Sequence, residues 1–402
     1  MKRFSSWNYL VSALGLLAGL PPSAGGAKPK ELFPLTDFYD TPESFATTGQ
    51  PGDLIRSMKF EGYRLPKGVG ATRILYGTET SQGNLVACSG VVLVPKGEAP
   101  EGGWPVIAWA HGTSGVTRRC APSLMAECFA DYGAPCIYAE NGYAVVATDY
   151  VGLGTNYPVN YMDRISNGRD VINGVMAARK AVPALGRKWV AIGHSAGAHA
   201  MRGVAELEAD IGDPSYLGVV AVSGLGDSRT PMVVLSKEAA YLAIYIAEAV
   251  KARYPAFNQN EILKEKGLEL LETLKEACSG PGTPIPREPP AKGSDLLVEN
   301  WQLNPFIDEY FKLDETNQEK YEGPVLVING EEEPPQTLSN DIEAAKQMCE
   351  QGVDVQLNII KGANHFTVLR ASIKEQLTWI ADRFAGREIP NNCETILKWG
   401  MV

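Results

Sequence analysis

The stretch Lys188 to Ala200, KWVAIGHSAGAHA, decides the reading of this chain. Its first half is an apolar run with the character of a buried strand. Its second half opens a segment with helical spacing, GAHAMRGVAELEAD, and between the two lies Gly193-His194-Ser195-Ala196-Gly197. A bare G-x-S-x-G match is weak, because glycine and serine are common. In a strand-to-helix setting it is specific, since a nucleophilic serine needs a sharp turn that lifts its hydroxyl clear of a sheet and faces it with the positive end of a helix. Ser195 is therefore the expected nucleophile.

Outward from this turn the same alternation continues. The runs WPVIAWAHG, GYAVVATDY, LGVVAVSGL, GPVLVING and DVQLNIIKG are continuous apolar segments that end in Gly, Asp or Ser. Amphipathic segments separate several of them, among them GRDVINGVMAARKAV, LSNDIEAAKQMCEQG and the long HFTVLRASIKEQLTWIADRFAG. Ahead of them, RILYGTETSQGNLVACSGVVLVP reads as two antiparallel strands around Gln82-Gly83-Asn84. Such a pattern implies a mostly parallel sheet covered by helices on both faces and entered through antiparallel strands. The alternation breaks between Ser228 and Glu322, where an apolar helix-like run (KEAAYLAIYIAEAVKARY), a charged one and a Pro-rich segment follow one another. That interval is too long for a connection and is expected to form an inserted cap.

The chain has four histidines, His111, His194, His199 and His365. Only His365, in the loop KGANHFT, follows the serine in the order Ser, acid, His that this architecture requires. His194 is expected to turn away from Ser195, and His199 to be a packed or hydrogen-bonded core residue. The acid should leave a strand end between Ser195 and His365. Asp227, after VVAVSGLG, and the triplet Glu331-Glu332-Glu333, after VLVING, both qualify, and the triplet is better placed, one helix and one strand before His365. Asp149 precedes Ser195 and is read as an acceptor that orders a loop. An oxyanion site needs two backbone N–H groups, expected from Ala196 and from Thr113 in the turn HGTSG, with Ser114 close behind.

Composition sets the outer limits. Of 402 residues, 45% are hydrophobic and 21% charged, ordinary values for a globular enzyme. The formal charge of −10 points to no nucleic-acid partner and suits a neutral or weakly polar substrate better. Lys2 and Arg3, the apolar stretch Leu10 to Leu20 and the small residues up to Ala27 read as a secretory leader spanning 1–27, cut after Ala24 or Ala27. Without the leader the charge is −12 (−10 − 2). Seven cysteines without a C-x-x-C argue against zinc, and export makes disulfides the default. Cys88, inside an apolar strand-like run, is the candidate free thiol, and the chain has no N-x-S/T sequon.

The blocks AHGTSGVTRRCAPSL, TDYVGLG and GHSAGAHA, with the late histidine, resemble the secretory lipase family, the lipase A type of α/β-hydrolase. The likeness runs in register from about Leu54 to the end. It implies an exported carboxylic-ester hydrolase with a core over 28–227 and 323–402 and a helical cap over 228–322. Ser195 and His365 match the family's nucleophile and base. The family acid lies in a G-x-x-D turn, and counting from Gly330 gives Glu333, with Glu332 as the alternative, where aspartate is usual. The family's disulfides imply Cys120 with Cys278 and Cys349 with Cys393, leaving Cys128 with Cys136. No metal or organic cofactor is expected. The expected substrate is a small-molecule or lipid ester, with transient lipid-surface contact through the cap and no protein partner indicated. The alternatives are a short-chain acetyl esterase or acyltransferase on the same residues, the same residues turned on amides, or a secreted binding protein that kept the fold and lost turnover.

Overall fold

The computed structural model describes residues 32–127, 133–237, 239–278, 293–315, 320–388 and 391–399. The expected leader over 1–27, Cys128 and the Pro-rich run 279–292 lie outside them. Nine strands form one sheet: β1 (Leu54–Lys59), β2 (Val69–Glu79), β3 (Leu85–Pro95), β4 (Trp104–Ala110), β5 (Ala144–Thr148), β6 (Leu185–His194), β7 (Tyr216–Val222), β8 (Val325–Gly330) and β9 (Val355–Ile360). Their order is β1-β2-β3-β5-β4-β6-β7-β8-β9. The pairs β1–β2, β2–β3 and β3–β5 are antiparallel, and every later pair is parallel. Parallel neighbours need crossovers, which the helices supply. They are α1 (Ala134–Glu140), α2 (Arg164–Ala181), α3 (Ala196–Ile211), α4 (Arg229–Leu235), α5 (Tyr241–Arg253), α6 (Glu265–Glu276), α7 (Pro305–Glu315), α8 (Pro335–Glu350) and α9 (Ile373–Phe384).

Alternate residues of each strand feed opposite faces. Val106, Ala108, Ala191, Val219 and Val325 pack with α2, α3 and α8 in one core, while Ile107, Trp109, Val190, Val220 and Leu326 pack with α1 and α9 in the other. Burial on both sides explains why these strands are apolar without interruption. This is the mixed, helix-covered sheet of an α/β-hydrolase. The strands read from the sequence occupy the expected places, with β2 and β3 in register from Val69 opposite Pro95 to Glu79 opposite Leu85. Two expectations need correction. The last amphipathic segment is not one helix from His365: its helices are Val368–Ala371 and Ile373–Phe384, and the Ser372 hydroxyl at the break bonds back to the Val368 carbonyl at 2.7 Å. The half-exposed edge strand β1 and the helices α1, α4 and α7 are additions to the elements expected above.

Helices α4 to α7 lie between β7 and β8 and build a third core around Tyr245, Phe257, Ile307 and Phe311. A buried ionic cluster ties this core to the sheet layer. Asp314, near the end of α7, accepts hydrogen bonds from Arg164 Nη1 and His199 Nε2, both at 2.8 Å, and from the Ser228 N–H at 2.5 Å. Burial alone would raise its carboxyl, but the charges of His199, Arg164 and Arg202 hold it well below the ordinary range. Removing one partner from a buried network leaves the others uncompensated. Asp314→Ala should therefore lose about 3–5 kcal/mol of stability in urea unfolding, and a loss below about 1 kcal/mol would contradict that reading.

Asp170 in α2 is buried beneath the connection that follows β5. Its carboxylate accepts from the Val151 N–H at 3.0 Å and the Thr78 hydroxyl at 2.9 Å. Burial, with the Asp163 charge adding to it, pushes the carboxyl up to about 8. An unfolded aspartate titrates near about 4. Between these values the unfolded chain has released the proton that the folded chain keeps, so stability falls as pH rises through that window. Asp170→Asn should flatten that fall. Its melting temperature relative to the parent should rise from about pH 4 to about pH 8 and then level off, and parallel curves would contradict the assignment.

Candidate active site

Ser195 follows β6 as the N-cap residue of α3 with φ 56° and ψ −120°, a backbone conformation rare for a residue with a side chain. Two glycines make the turn feasible. A Cβ at Gly193 would stand 2.1 Å from the Gly197 carbonyl oxygen, and one at Gly197 would stand 2.0 Å from that of Ala110. Strand, turn and helix can approach only where side chains are missing. The Ser195 N–H donates to the Val222 carbonyl at 3.0 Å, which seats the turn on β7.

The Ser195 Oγ lies 2.9 Å from His365 Nε2, and His365 Nδ1 lies 3.1 Å from Glu333 Oε1. Burial works to raise the Glu333 carboxyl, but the hydrogen bond and charge of His365 more than offset it and hold the carboxyl below its ordinary range. An ionised carboxylate only accepts, so Nδ1 carries the proton and Nε2 is left to accept from the serine hydroxyl. A hydroxyl with this neighbour can give up its proton as it attacks an electrophilic carbon.

Of the other candidates, Glu332 is exposed at the cavity wall and Glu331 accepts from the Gly362 N–H at 3.0 Å. Asp227 is turned to Thr230, accepting from its N–H at 2.9 Å. Asp149 orders a loop: it accepts from the Ser123 N–H at 2.8 Å and from the hydroxyls of Ser123 and Ser89 at 2.5 and 2.6 Å. Thr113 and Ala196 line the same cavity as Ser195. His194, which was expected merely to turn away from Ser195, is buried with its Nε2 2.8 Å from the His365 carbonyl oxygen, beneath the loop that carries the imidazole. Asp341, pushed up to about 6 by burial, accepts from Asn329 Nδ2 at 2.6 Å and the Gly226 N–H at 2.8 Å. It fixes the turn after β7, and nothing in the sequence marked it.

A cavity of about 440 Å³ opens over Ser195. Ligand pockets commonly measure about 300–1,000 Å³, so a small ester fits. Its wall takes Tyr161 and Met162 from the connection after β5, and Met232, Leu235, Tyr241 and Leu242 from α4 and α5; among the described residues no lysine or arginine lines it. Disulfides join Cys120 to Cys278 and Cys349 to Cys393, the first binding the loop after β4 to the inserted segment just beyond α6. Cys88 is buried and unbridged, and Cys136 has no bridge to a described residue. The expected pairing of Cys136 with Cys128 lies outside the described residues. Among those residues, no group of three His, Cys, Asp or Glu could hold a metal ion.

The secretory lipase pattern matches residues 136–392, more than half of the chain. The chain belongs to the secretory lipase family. A probable inactive lipase of Mycobacterium tuberculosis is 24% identical over 389 residues, spanning 91% of this chain and 85% of the relative. Among solved structures, Candida antarctica lipase A in its closed state superposes with a TM-score of 0.73 at 17% identity, over 90% of this chain and 89% of that one. The rice cell wall degrading esterase LipA from Xanthomonas oryzae gives a TM-score of 0.66 at 18% identity, over 83% and 98%. At such identities the likeness to this secretory lipase concerns the fold alone.

Proposed function

We propose that this secretory lipase is an exported serine carboxylic-ester hydrolase. The observation that carries the reading is the Ser195 Oγ at 2.9 Å from His365 Nε2, with Glu333 at 3.1 Å behind the imidazole, on the wall of a largely apolar cavity. In the first half-reaction, Ser195 Oγ adds to the ester carbonyl carbon while His365 Nε2 takes its proton. The N–H groups of Thr113 and Ala196 hold the resulting oxyanion, and Glu333 steadies the imidazolium. Collapse expels the alcohol, which leaves with the proton from His365. Water then adds to the acyl-enzyme by the reverse proton path, releasing the acid and restoring Ser195.

Segment 228–322 acts as the cap of this site, and Leu303, 64% exposed, gives it an apolar residue for transient contact with a lipid surface. The leader over 1–27 and the disulfides support export. Purified protein assayed on p-nitrophenyl esters of increasing acyl length tests the proposal. Hydrolysis sustained beyond butyrate supports the lipase form, and a steep fall there supports a short-chain esterase. The name of the mycobacterial relative, together with glutamate in place of the usual aspartate, favours a second reading as an inactive fold relative. Folded protein that hydrolyses no ester and whose Ser195 resists a fluorophosphonate would establish that reading instead.

A further inference from the structure

His194 stands immediately before Ser195 and has no chemical step in the acyl transfer. Its side chain is nonetheless buried among the parts that do. Its Nε2 lies 2.8 Å from the His365 carbonyl oxygen, and the two imidazole centroids are 5.2 Å apart. The Nδ1 edge of the ring faces the turn that carries Thr113: a Cβ built on Gly112 would stand 3.6 Å from His194 Nδ1 and 3.3 Å from the Ser195 Cβ. A side chain one residue from the nucleophile therefore bonds the loop of the base and packs beside the oxyanion turn.

A backbone carbonyl only accepts, so His194 Nε2 is the donor in this bond whatever the rest of the ring does. Other bonds brace the His365 loop. The Phe366 and Thr367 N–H groups donate to Asn364 Oδ1 at 3.0 and 3.1 Å, and the Glu332 N–H donates to the Ala363 carbonyl at 2.9 Å. These fix the shape of the loop and join it to the segment of the acid, but they do not set its distance from Ser195. The His194 bond does, because His194 and Ser195 share one turn, seated on β7 through the Val222 carbonyl. With Ser195 Oγ 2.9 Å from His365 Nε2, two adjacent residues hold the base at two points, its backbone and its ring. We propose that His194 is a positioning residue that locks the His365 backbone to the turn of the nucleophile, keeping the imidazole within reach of Ser195 Oγ. The inference rests on the ester-hydrolase reading.

The test compares His194→Gln, whose amide nitrogen reaches as far as Nε2, with His194→Met, of similar length and without a donor. Each is read as kcat and KM on p-nitrophenyl butyrate and as the rate at which a fluorophosphonate labels Ser195. Misplacing a catalytic group by about 1 Å can cost about a hundredfold. His194→Met should therefore lower kcat by about ten- to a hundredfold, leave KM within about twofold and slow labelling by a similar factor. His194→Gln should keep both rates within about threefold, as the N–H is retained. A side chain that merely filled space would give the opposite order, since methionine is the better apolar filler. In a His365→Ala background, His194→Met should cost nothing further, because the loop no longer carries a base. If His194→Met does not fold, His194→Asn, whose amide falls one bond short, takes its place with the same expected loss. If the donor-less variant keeps kcat within about threefold, if His194→Gln loses as much, or if the loss multiplies with that of His365→Ala, the inference fails while the hydrolase reading stands. If the parent neither turns over the ester nor is labelled, the hydrolase reading falls and the inference falls with it.

Discussion

Ser195→Ala should leave the fold intact and lower kcat on p-nitrophenyl butyrate by roughly 10⁵- to 10⁶-fold. The hydroxyl lies 2.9 Å from His365 Nε2, and the change removes one oxygen without altering the turn set by Gly193 and Gly197. The cavity and the backbone donors remain, so KM should change little and residual catalysis over water should persist. Steady-state kinetics on protein of unchanged melting temperature measures this. A loss of less than about 100-fold would mean that another group, or an activated water, attacks the ester.

The next largest effect concerns the three adjacent glutamates. Glu333→Gln should lower kcat by about 10³- to 10⁴-fold, because an amide can neither fix the Nδ1–H tautomer nor stabilise the imidazolium. Glu332→Ala should stay within about threefold, as its carboxylate is exposed and the work of orientation falls to Glu333. Glu333→Asp is the more searching variant. Aspartate is usual in this family, but here the 3.1 Å contact is made at the full length of a glutamate. Shortening the side chain by one methylene should open that contact and cost an intermediate factor, about tenfold to a hundredfold. Equal losses from Glu332→Ala and Glu333→Gln would overturn the assignment.

How far the fold could be read follows from where each element is buried. Strands β4, β5, β7 and β8, with the second half of β6, are covered on both faces and advertise themselves as apolar runs, whereas β9 (VQLNII) is only partly buried. β1, at the edge of the sheet, runs from half-buried to exposed with no buried residue, and LIRSMK carries no such signal. Helix α7 does have an apolar stripe, Ile307, Tyr310 and Phe311, but its Asp314 reads in sequence as a solvated charge. Only the fold reveals that Arg164 and His199, more than a hundred positions away, meet that carboxylate. Residue order and the strand-turn-helix pattern named Ser195 and His365, while the choice among Glu331, Glu332 and Glu333 rested on counting from Gly330. The loop geometry that turns Glu333 inward is set by contacts such as the Glu332 N–H on the Ala363 carbonyl at 2.9 Å, which no local pattern encodes. Tyr161 and His194 stayed hidden for the same reason: their partners, Thr113 and the His365 carbonyl, come from distant parts of the chain.

The most direct test of the account is to catch the acyl-enzyme. Protein mixed with excess p-nitrophenyl butyrate, quenched in acid during turnover and digested, should yield the Ser195 peptide heavier by one butyryl group. The same peptide from His365→Ala should be unmodified. Hydrolysis that proceeds at the parent rate with no acyl group on Ser195, or with the group on another residue, would contradict the account.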